Sequence, residues 1–171
     1  NMVDWNLSRS RFWGTPLPIW KAVDEKNEYI DEKEGGESIC IGSIEQLLSE
    51  AKKADEKFGI AQSSKLDAKS LDLHKPYVDD IVLVSASGKP MKRVPDLIDV
   101  WFDSGAMPYA QWGLDYEKVK NGEKYPFKLP EGTKNFEDLF PASFICEGVD
   151  QTRGWFYTLH ALGALLFDSV A

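Results

Sequence analysis

The sequence predicts an α/β fold with a partial parallel sheet and helices, and two adjacent patterns indicate it. An apolar run at residues 142–146 stops at Glu147 and Gly148, and a second apolar pattern, at helical spacing, follows over residues 155–170. This order predicts a buried strand, a tight polar turn and a helix. In open α/β sheets, ligands bind at the carboxyl ends of the strands, where such turns lie. We therefore expect a ligand-binding turn between this strand and this helix.

Two sections of different character precede this unit. Residues 3–20 are rich in aromatic residues and arginine, and alternating prolines near their end favour an extended segment. Residues 21–93 are polar and predict a small inserted subdomain. Within it, Ser43 and Gln46 match a capping box, and Gly59 is placed to end the helix that they begin.

The subdomain closes with a predicted strand at residues 78–84 and a turn at residues 87–90. The run from Gly88 to Arg93 is similar to a lysine–methionine phosphate-binding loop, but it lacks a serine between methionine and lysine. We interpret it as a solvated turn. After it, residues 94–112 contain a short apolar run, and a short helix is expected near residues 136–139.

Composition and charge exclude several classes of protein. Of the 171 residues, 43% are hydrophobic and 28% are charged, which is ordinary for a globular domain. The net charge of −8 argues against nucleic acid as a ligand of this chain by itself. No apolar run approaches the ~20 residues that span a bilayer, and no signal peptide is evident. Two cysteines give no disulfide framework, which favours a reducing compartment.

Neither candidate ligand contact is specific by itself. The turn at residues 147–151 is equally well explained as an ordinary strand-to-helix corner, with Asp150 as the N-cap and Gly148 in a tight bend. Trp101, beside Asp103, could line a pocket, but tryptophan more often lies in a core or an interface.

Metal and serine-hydrolase chemistry receive no support from spacing. No serine lies in a Gly-x-Ser-x-Gly turn. The residues that could bind a metal are scattered, with no two at ligand spacing: His74, His160, Cys40 and Cys146.

Three ordered segments are far more specific together than apart. They are residues 4–16, which contain Arg-Phe-Trp-Gly-Thr-Pro, residues 99–105, which contain Trp-Phe-Asp-Ser-Gly, and residues 147–156, which contain Asp-Gln-Thr-Arg-Gly-Trp. In this order and spelling the chain resembles the isoleucyl-tRNA synthetases, a family of class I aminoacyl-tRNA synthetases. The resemblance runs end to end and is weakest over residues 21–93.

The resemblance implies an internal piece of a longer protein, and both ends of the chain favour the same expectation. Residues 1–20 resemble the return segment from the editing insertion into the catalytic domain. Residues 21–93 resemble a small connective insertion, and residues 94–171 the second half of a Rossmann-like catalytic domain. The family's His-Ile-Gly-His and Lys-Met-Ser-Lys-Ser signatures would lie outside the chain. Gly88 to Arg93 precede the Trp-Phe-Asp-Ser-Gly element and therefore do not match the second signature.

The resemblance also implies site residues. Trp101 and Trp155 match the two tryptophans that flank the isoleucine side chain. The positions that contact the aminoacyl-adenylate are matched by Glu147, Gly148, Asp150 and Gln151. Acidic groups suit ribose hydroxyls and the cationic α-amino group, and the Gln151 amide can donate to an oxygen. No residue is expected to be a nucleophile or to bind a metal.

The implied reaction uses ATP with Mg²⁺ to form isoleucyl-adenylate, followed by transfer to tRNA(Ile). The resemblance further implies a cytoplasmic, monomeric full-length enzyme that has no contact with membranes. We expect the isolated chain to be inactive and to hold no cofactor, since other segments supply most contacts to the ATP phosphates. Two alternatives stay open: a valine-specific synthetase, and a non-catalytic binding or structural module in which residues 21–93 dock a partner.

Overall fold

A computed structural model describes residues 4–171, which divide into two compact units, the first ending at Ile98 and the second covering Asp99–Ala171. The three-section division expected from the sequence remains a prediction. The first unit contains six strands: β1 (Ser8–Arg9), β2 (Ile19–Ala22), β3 (Ser38–Cys40), β4 (Leu83–Val84), β5 (Pro90–Arg93) and β6 (Leu97–Ile98). Strands β3-β2-β5-β4 form one sheet and β1-β6 a second, and every pairing is antiparallel.

Helix α1 (Ile44–Phe58) confirms the predicted boundaries. The Ser43 hydroxyl accepts from the Gln46 N–H at 3.1 Å, and Gly59 ends the helix at φ +66°. The Gln46 side chain accepts from the Gly42 N–H at 2.8 Å, one residue before the N-cap amide that a capping box would use. The local sequence therefore specifies both ends of this helix.

The core of the first unit lies between its four-stranded sheet and α1. Trp20 is 1% exposed, and its indole Nε1–H donates to the Ile81 carbonyl at 2.8 Å. The buried apolar residues around it come from both elements and from the segment before β4: Ala22, Ile41, Leu47, Ala51, Val78, Ile81, Leu83 and Met91.

Two predictions for this unit need correction. Only Leu83–Val84 of the expected strand at residues 78–84 is a strand, because Val78 and Ile81 reach the core at the three-residue spacing of a 3-10 turn over Tyr77–Asp80. The run from Gly88 to Arg93 is a turn only at its start. Its remainder is β5, in the interior of the sheet, and Arg93 is 4% exposed.

The second unit is helical, with α2 (Val100–Ala110), α3 (Tyr116–Lys120) and α4 (Trp155–Phe167). Short 3-10 turns cover Phe136–Asp138, near the expected short helix, and Val149–Arg153. Edge-to-face and tilted rings form its aromatic core: Tyr109, Tyr125, Phe127, Phe136, Phe140 and Phe167. Across residues 4–171, no helix is long and apolar enough to span a membrane.

The expected parallel sheet is absent from the described residues. Residues 142–146 carry no strand, and Phe144 is 82% exposed. A strand forms only when a neighbouring strand accepts and donates its backbone hydrogen bonds, and none pairs with this run within residues 4–171. The helix that follows it is confirmed, but it ends at Phe167, three residues before the predicted end at residue 170.

Candidate functional site

Helix α2 places Trp101 in its first turn. The Asp99 carboxylate caps the helix by accepting from the Trp101 N–H at 3.3 Å, and Asp99 itself is buried. Trp101 is 42% exposed, so its ring has an accessible surface on a fixed backbone. An anchored and partly exposed indole is suited to form the wall of a small apolar pocket.

Helix α4 begins at Trp155, which the surrounding groups hold at two points. The Gln151 side-chain oxygen accepts from the Trp155 backbone N–H at 3.0 Å. The Trp155 indole Nε1–H donates to the Ser104 main-chain carbonyl, on α2, at 3.1 Å. The indole is therefore oriented by a hydrogen bond to the opposite helix as well as by the start of its own.

The two helices are in close contact one turn beyond the tryptophans. A methyl group on Gly105 would lie 3.0 Å from both Cβ and Oγ1 of Thr158 and 3.1 Å from Leu162 Cδ1. Gly105 follows Trp101 by four residues, and Thr158 follows Trp155 by three, so each pair shares a helix face. Absence of a side chain at Gly105 thus sets how closely the helices that carry the two tryptophans approach.

Gly154 brings the Trp101 ring next to the start of α4. A Cβ atom at this position would lie 3.3 Å from Trp101 Cη2 and 2.7 Å from the Gln151 Oε1 atom. Both distances are shorter than ordinary packing contacts, so this position requires a residue without a side chain. The structure thereby places the Trp101 ring beside the turn that carries Gln151 and Trp155. The ligand contacts expected of these residues stay predictions.

The polar turn contains the remaining predicted residues. Glu147 and Gly148 lie in the irregular lead-in, while Asp150 and Gln151 lie in the 3-10 turn Val149–Arg153. The Gln151 amide Nε2–H donates to the Asp150 carboxylate at 3.1 Å. A side chain at Gly148 would overlap the same carboxylate. Glu147 and Asp150 are exposed, so this turn offers two carboxylates to solvent or to a cationic ligand.

The alternative role of Asp150 as the helix N-cap is wrong. Gln151, one residue later, supplies the oxygen that accepts from the first N–H of α4, and the N-cap position itself is Gly154. A glutamine can do this from inside the preceding 3-10 turn because its longer side chain reaches forward by four residues. Asp150 is left with its carboxylate on the surface.

The sequence analysis included Ser104 and Gly105 in a motif but gave neither of them a role in holding this arrangement, and it gave none to Thr158. Gly105 was the available signal. A glycine inside a helix lowers its stability by about 1 kcal/mol relative to alanine, so its presence there indicates a packing reason. Ser104 acts through its main-chain carbonyl, which no side-chain pattern reveals.

Residues with metal-binding side chains stay apart. In the described part of the chain, no three histidine, cysteine, aspartate or glutamate side chains are grouped as a metal site would need. His74 instead contacts two nearby side chains. Its ring stacks on Trp13 at a centroid distance of 5.0 Å, and its Nδ1 lies 2.8 Å from the Asp72 carboxylate.

Comparisons with known proteins agree on one family. The family model described as tRNA synthetases class I (I, L, M and V) matches residues 1–170. The isoleucine–tRNA ligase of Cytophaga hutchinsonii is 57% identical over the whole chain, that of Bacteroides fragilis 49% over the whole chain, and that of Thermobifida fusca 45% over 98% of it. The chain spans only 13–14% of the length of these relatives.

Proposed function

The chain belongs to the class I tRNA synthetases of the I, L, M and V group, and on this premise we propose that it is part of an isoleucine–tRNA ligase. Its similar relatives carry that name. The observation that carries the proposal is the position of the Trp101 ring beside Gly154, the residue between the polar turn and Trp155. In the full-length protein, this region supplies the amino-acid pocket and part of the adenylate site.

The two tryptophans form the walls of the isoleucine pocket. Trp101 is held by the cap of α2, and Trp155 by its bonds to Gln151 and Ser104. Flat indole walls exclude bulkier or aromatic amino acids. They reject valine poorly, since one missing methylene is worth only ~1–3 kcal/mol, which is why a separate editing site is needed.

The polar turn binds the aminoacyl-adenylate. The carboxylates of Glu147 and Asp150 attract the cationic α-amino group and accept from ribose hydroxyls, and Gly148 allows close backbone approach. Gln151 Oε1 accepts from the Trp155 N–H at the start of α4, and one Gln151 Nε2–H donates to the Asp150 carboxylate. An amide nitrogen has two hydrogens, so the second N–H of Gln151 is the one that donates to a carbonyl or phosphate oxygen of the adenylate.

The reaction proposed for the full-length protein begins with attack of the isoleucine carboxylate on the α-phosphate of ATP. It forms isoleucyl-adenylate and releases pyrophosphate, and the isoleucyl group then passes to tRNA(Ile) with release of AMP. Mg²⁺ enters with ATP as part of the substrate, and no residue of this chain is assigned to it. Here the chain's own residues contribute position and charge, which are the main sources of catalysis in chemistry of this kind.

Each section of the chain has a proposed place in the full-length protein. We place residues 1–20, 21–93 and 94–171 as the return segment, the connective insertion and part of the Rossmann-like catalytic domain of the full-length protein. There, residues 142–146 would gain strand neighbours and join a parallel sheet. The full-length protein is proposed to be a cytoplasmic monomer.

Amino-acid-dependent exchange of pyrophosphate into ATP tests this function directly. Purified full-length protein should exchange pyrophosphate with isoleucine at a far lower concentration than with valine. The 171-residue chain, assayed in parallel, should show no isoleucine-dependent exchange. Preference for valine would establish the valine-specific alternative, and absence of exchange with either amino acid would overturn the proposal. Exchange by the isolated chain would overturn the division of the site between segments.

A further inference from the structure

The Ser104 carbonyl that accepts from Trp155 lies four residues before a proline. In an α-helix each carbonyl accepts from the N–H four residues later, so the partner of Ser104 would be the N–H of residue 108. That residue is Pro108, inside α2, and proline has no N–H. The Trp155 indole Nε1–H donates to this carbonyl at 3.1 Å.

Proline acts on this carbonyl in a second way. Inside a helix, its ring is crowded against the carbonyl of the residue four positions earlier and turns it away from the helix axis. A carbonyl turned outward can accept from a group on a neighbouring helix. Close contact of Gly105 with Thr158 brings α4 within reach of it.

We propose that Pro108 is a positioning residue, which frees the Ser104 carbonyl to orient the Trp155 wall of the amino-acid pocket. This inference rests on the proposed function and deepens it. Pro108 acts through two other residues and touches no substrate. Its presence in the interior of α2, where proline is ordinarily disfavoured, is explained by the acceptor that it provides.

Replacing Pro108 should weaken isoleucine binding without lowering the stability of the protein. In the full-length protein, Pro108→Ala restores an N–H that competes for the Ser104 carbonyl and also removes a residue unfavourable to helices. We expect the isoleucine KM and the isoleucine Kd from calorimetry to rise about three- to tenfold. The ATP KM and kcat should change less than twofold, and the thermal unfolding midpoint should not fall. Pro130→Ala, a matched substitution in a loop of the same unit, should change none of these values.

A double-mutant cycle identifies the route of the effect. Trp155→Phe keeps an aromatic wall but has no indole N–H, so it should raise the isoleucine KM by itself. Adding Pro108→Ala to it should produce no further rise, because the bond that the proline serves is already absent. If Pro108→Ala does not fold, Trp155→Phe still tests the bond from its donor side.

Three results would each overturn the inference and leave the proposed function intact. They are an unchanged isoleucine Kd in folded Pro108→Ala, an unchanged isoleucine Kd in Trp155→Phe, and fully additive effects in the double variant. Wild-type protein that neither binds isoleucine nor exchanges pyrophosphate would instead overturn the proposed function. A rise in Kd that tracks a fall in the thermal midpoint would assign Pro108 a structural role only.

Discussion

The indole N–H of Trp155 and the main-chain carbonyl of Ser104 join the first turn of α4 to the middle of α2 at 3.1 Å. This bond fixes the direction of a half-buried ring that side-chain packing alone would leave freer to rotate. It also makes the position of the ring depend on the path of a neighbouring helix. Substitutions that change either helix should therefore change the position of this ring.

Removing the Trp155 wall should impair amino-acid binding selectively. In the full-length protein, Trp155→Ala is expected to cost about 2 kcal/mol of isoleucine binding, or roughly thirtyfold in KM, through lost apolar contact. Hydrolysis of mischarged Val-tRNA(Ile) should stay nearly unchanged. Pyrophosphate exchange and deacylation assays measure the two activities. Equal loss of both would indicate a general folding defect, and Tyr116→Ala on α3 serves as the exposed aromatic control.

Crowding the crossing of α2 and α4 should widen the space between the tryptophans. Gly105→Ala places a methyl group 3.0 Å from Thr158 and 3.1 Å from Leu162 Cδ1, so these side chains, or the helix that carries them, must shift. We expect a stability loss of about 1–3 kcal/mol and a reduced preference for isoleucine over valine in pyrophosphate exchange.

Gly163→Ala, on α4, is the matched control. Its methyl group would meet the Ser169 and Val170 carbonyls at 3.1 and 3.2 Å, far along α4 from Trp155. It should lower stability comparably and leave the isoleucine-to-valine ratio unchanged. A similar change of ratio in both variants would show that Gly105 has no special effect on the pocket.

The ion pair between Arg93 and Asp79 should contribute strongly to the stability of the first unit. The Arg93 side chain is fully buried, and its Nε–H donates to Asp79 Oδ1 at 2.7 Å. Breaking a buried pair costs about 3–5 kcal/mol. The partial exposure of Asp79 and the bonds from Arg93 to the Leu17 and Asp96 carbonyls reduce the value expected for Asp79→Ala to about 2–3 kcal/mol.

Urea unfolding of the 171-residue chain measures this loss. Asp80→Ala removes an exposed neighbouring carboxylate from the same 3-10 turn and should change the midpoint little. Equal effects of the two substitutions would mean that the Arg93 pair adds nothing beyond the general loss of negative charge.

Acid should weaken the first unit through Glu37. A hydrogen bond with the Ser87 side chain is the largest cause that holds the pKa of Glu37 below its ordinary value of 4.5. The Ser87 and Ala86 backbone N–H groups act in the same direction, and desolvation opposes them. A lowered carboxylate pKa gives stability that is present above the ordinary value and is lost as pH falls through the folded-state value.

The unfolding midpoint should therefore fall as the pH drops below about 4.5, the ordinary pKa of this carboxyl group, and Glu37→Gln should make this fall shallower. Glu34→Gln, at an exposed position in a nearby 3-10 turn, is the control. Thermal unfolding followed by circular dichroism at a series of pH values measures both. An unaltered pH profile in Glu37→Gln would contradict the role of this carboxylate.

Sequence alone specified the features whose causes are local. Ser43 and Gly59 fixed both ends of α1, because capping uses backbone groups within a few residues. The three ordered motifs identified the family, which the family match confirms. They also gave Trp101, Trp155 and the polar turn as one candidate site.

Tertiary structure decided what depends on partners distant in sequence. Residues 142–146 have the composition of a strand, but they form no strand because no neighbouring strand pairs with them within residues 4–171. The Ser104 carbonyl became an acceptor only because α4 lies against α2, 51 residues along the chain. Apolar pattern and capping are properties of a segment, whereas strand pairing and the orientation of a ring require the opposite surface to be in place.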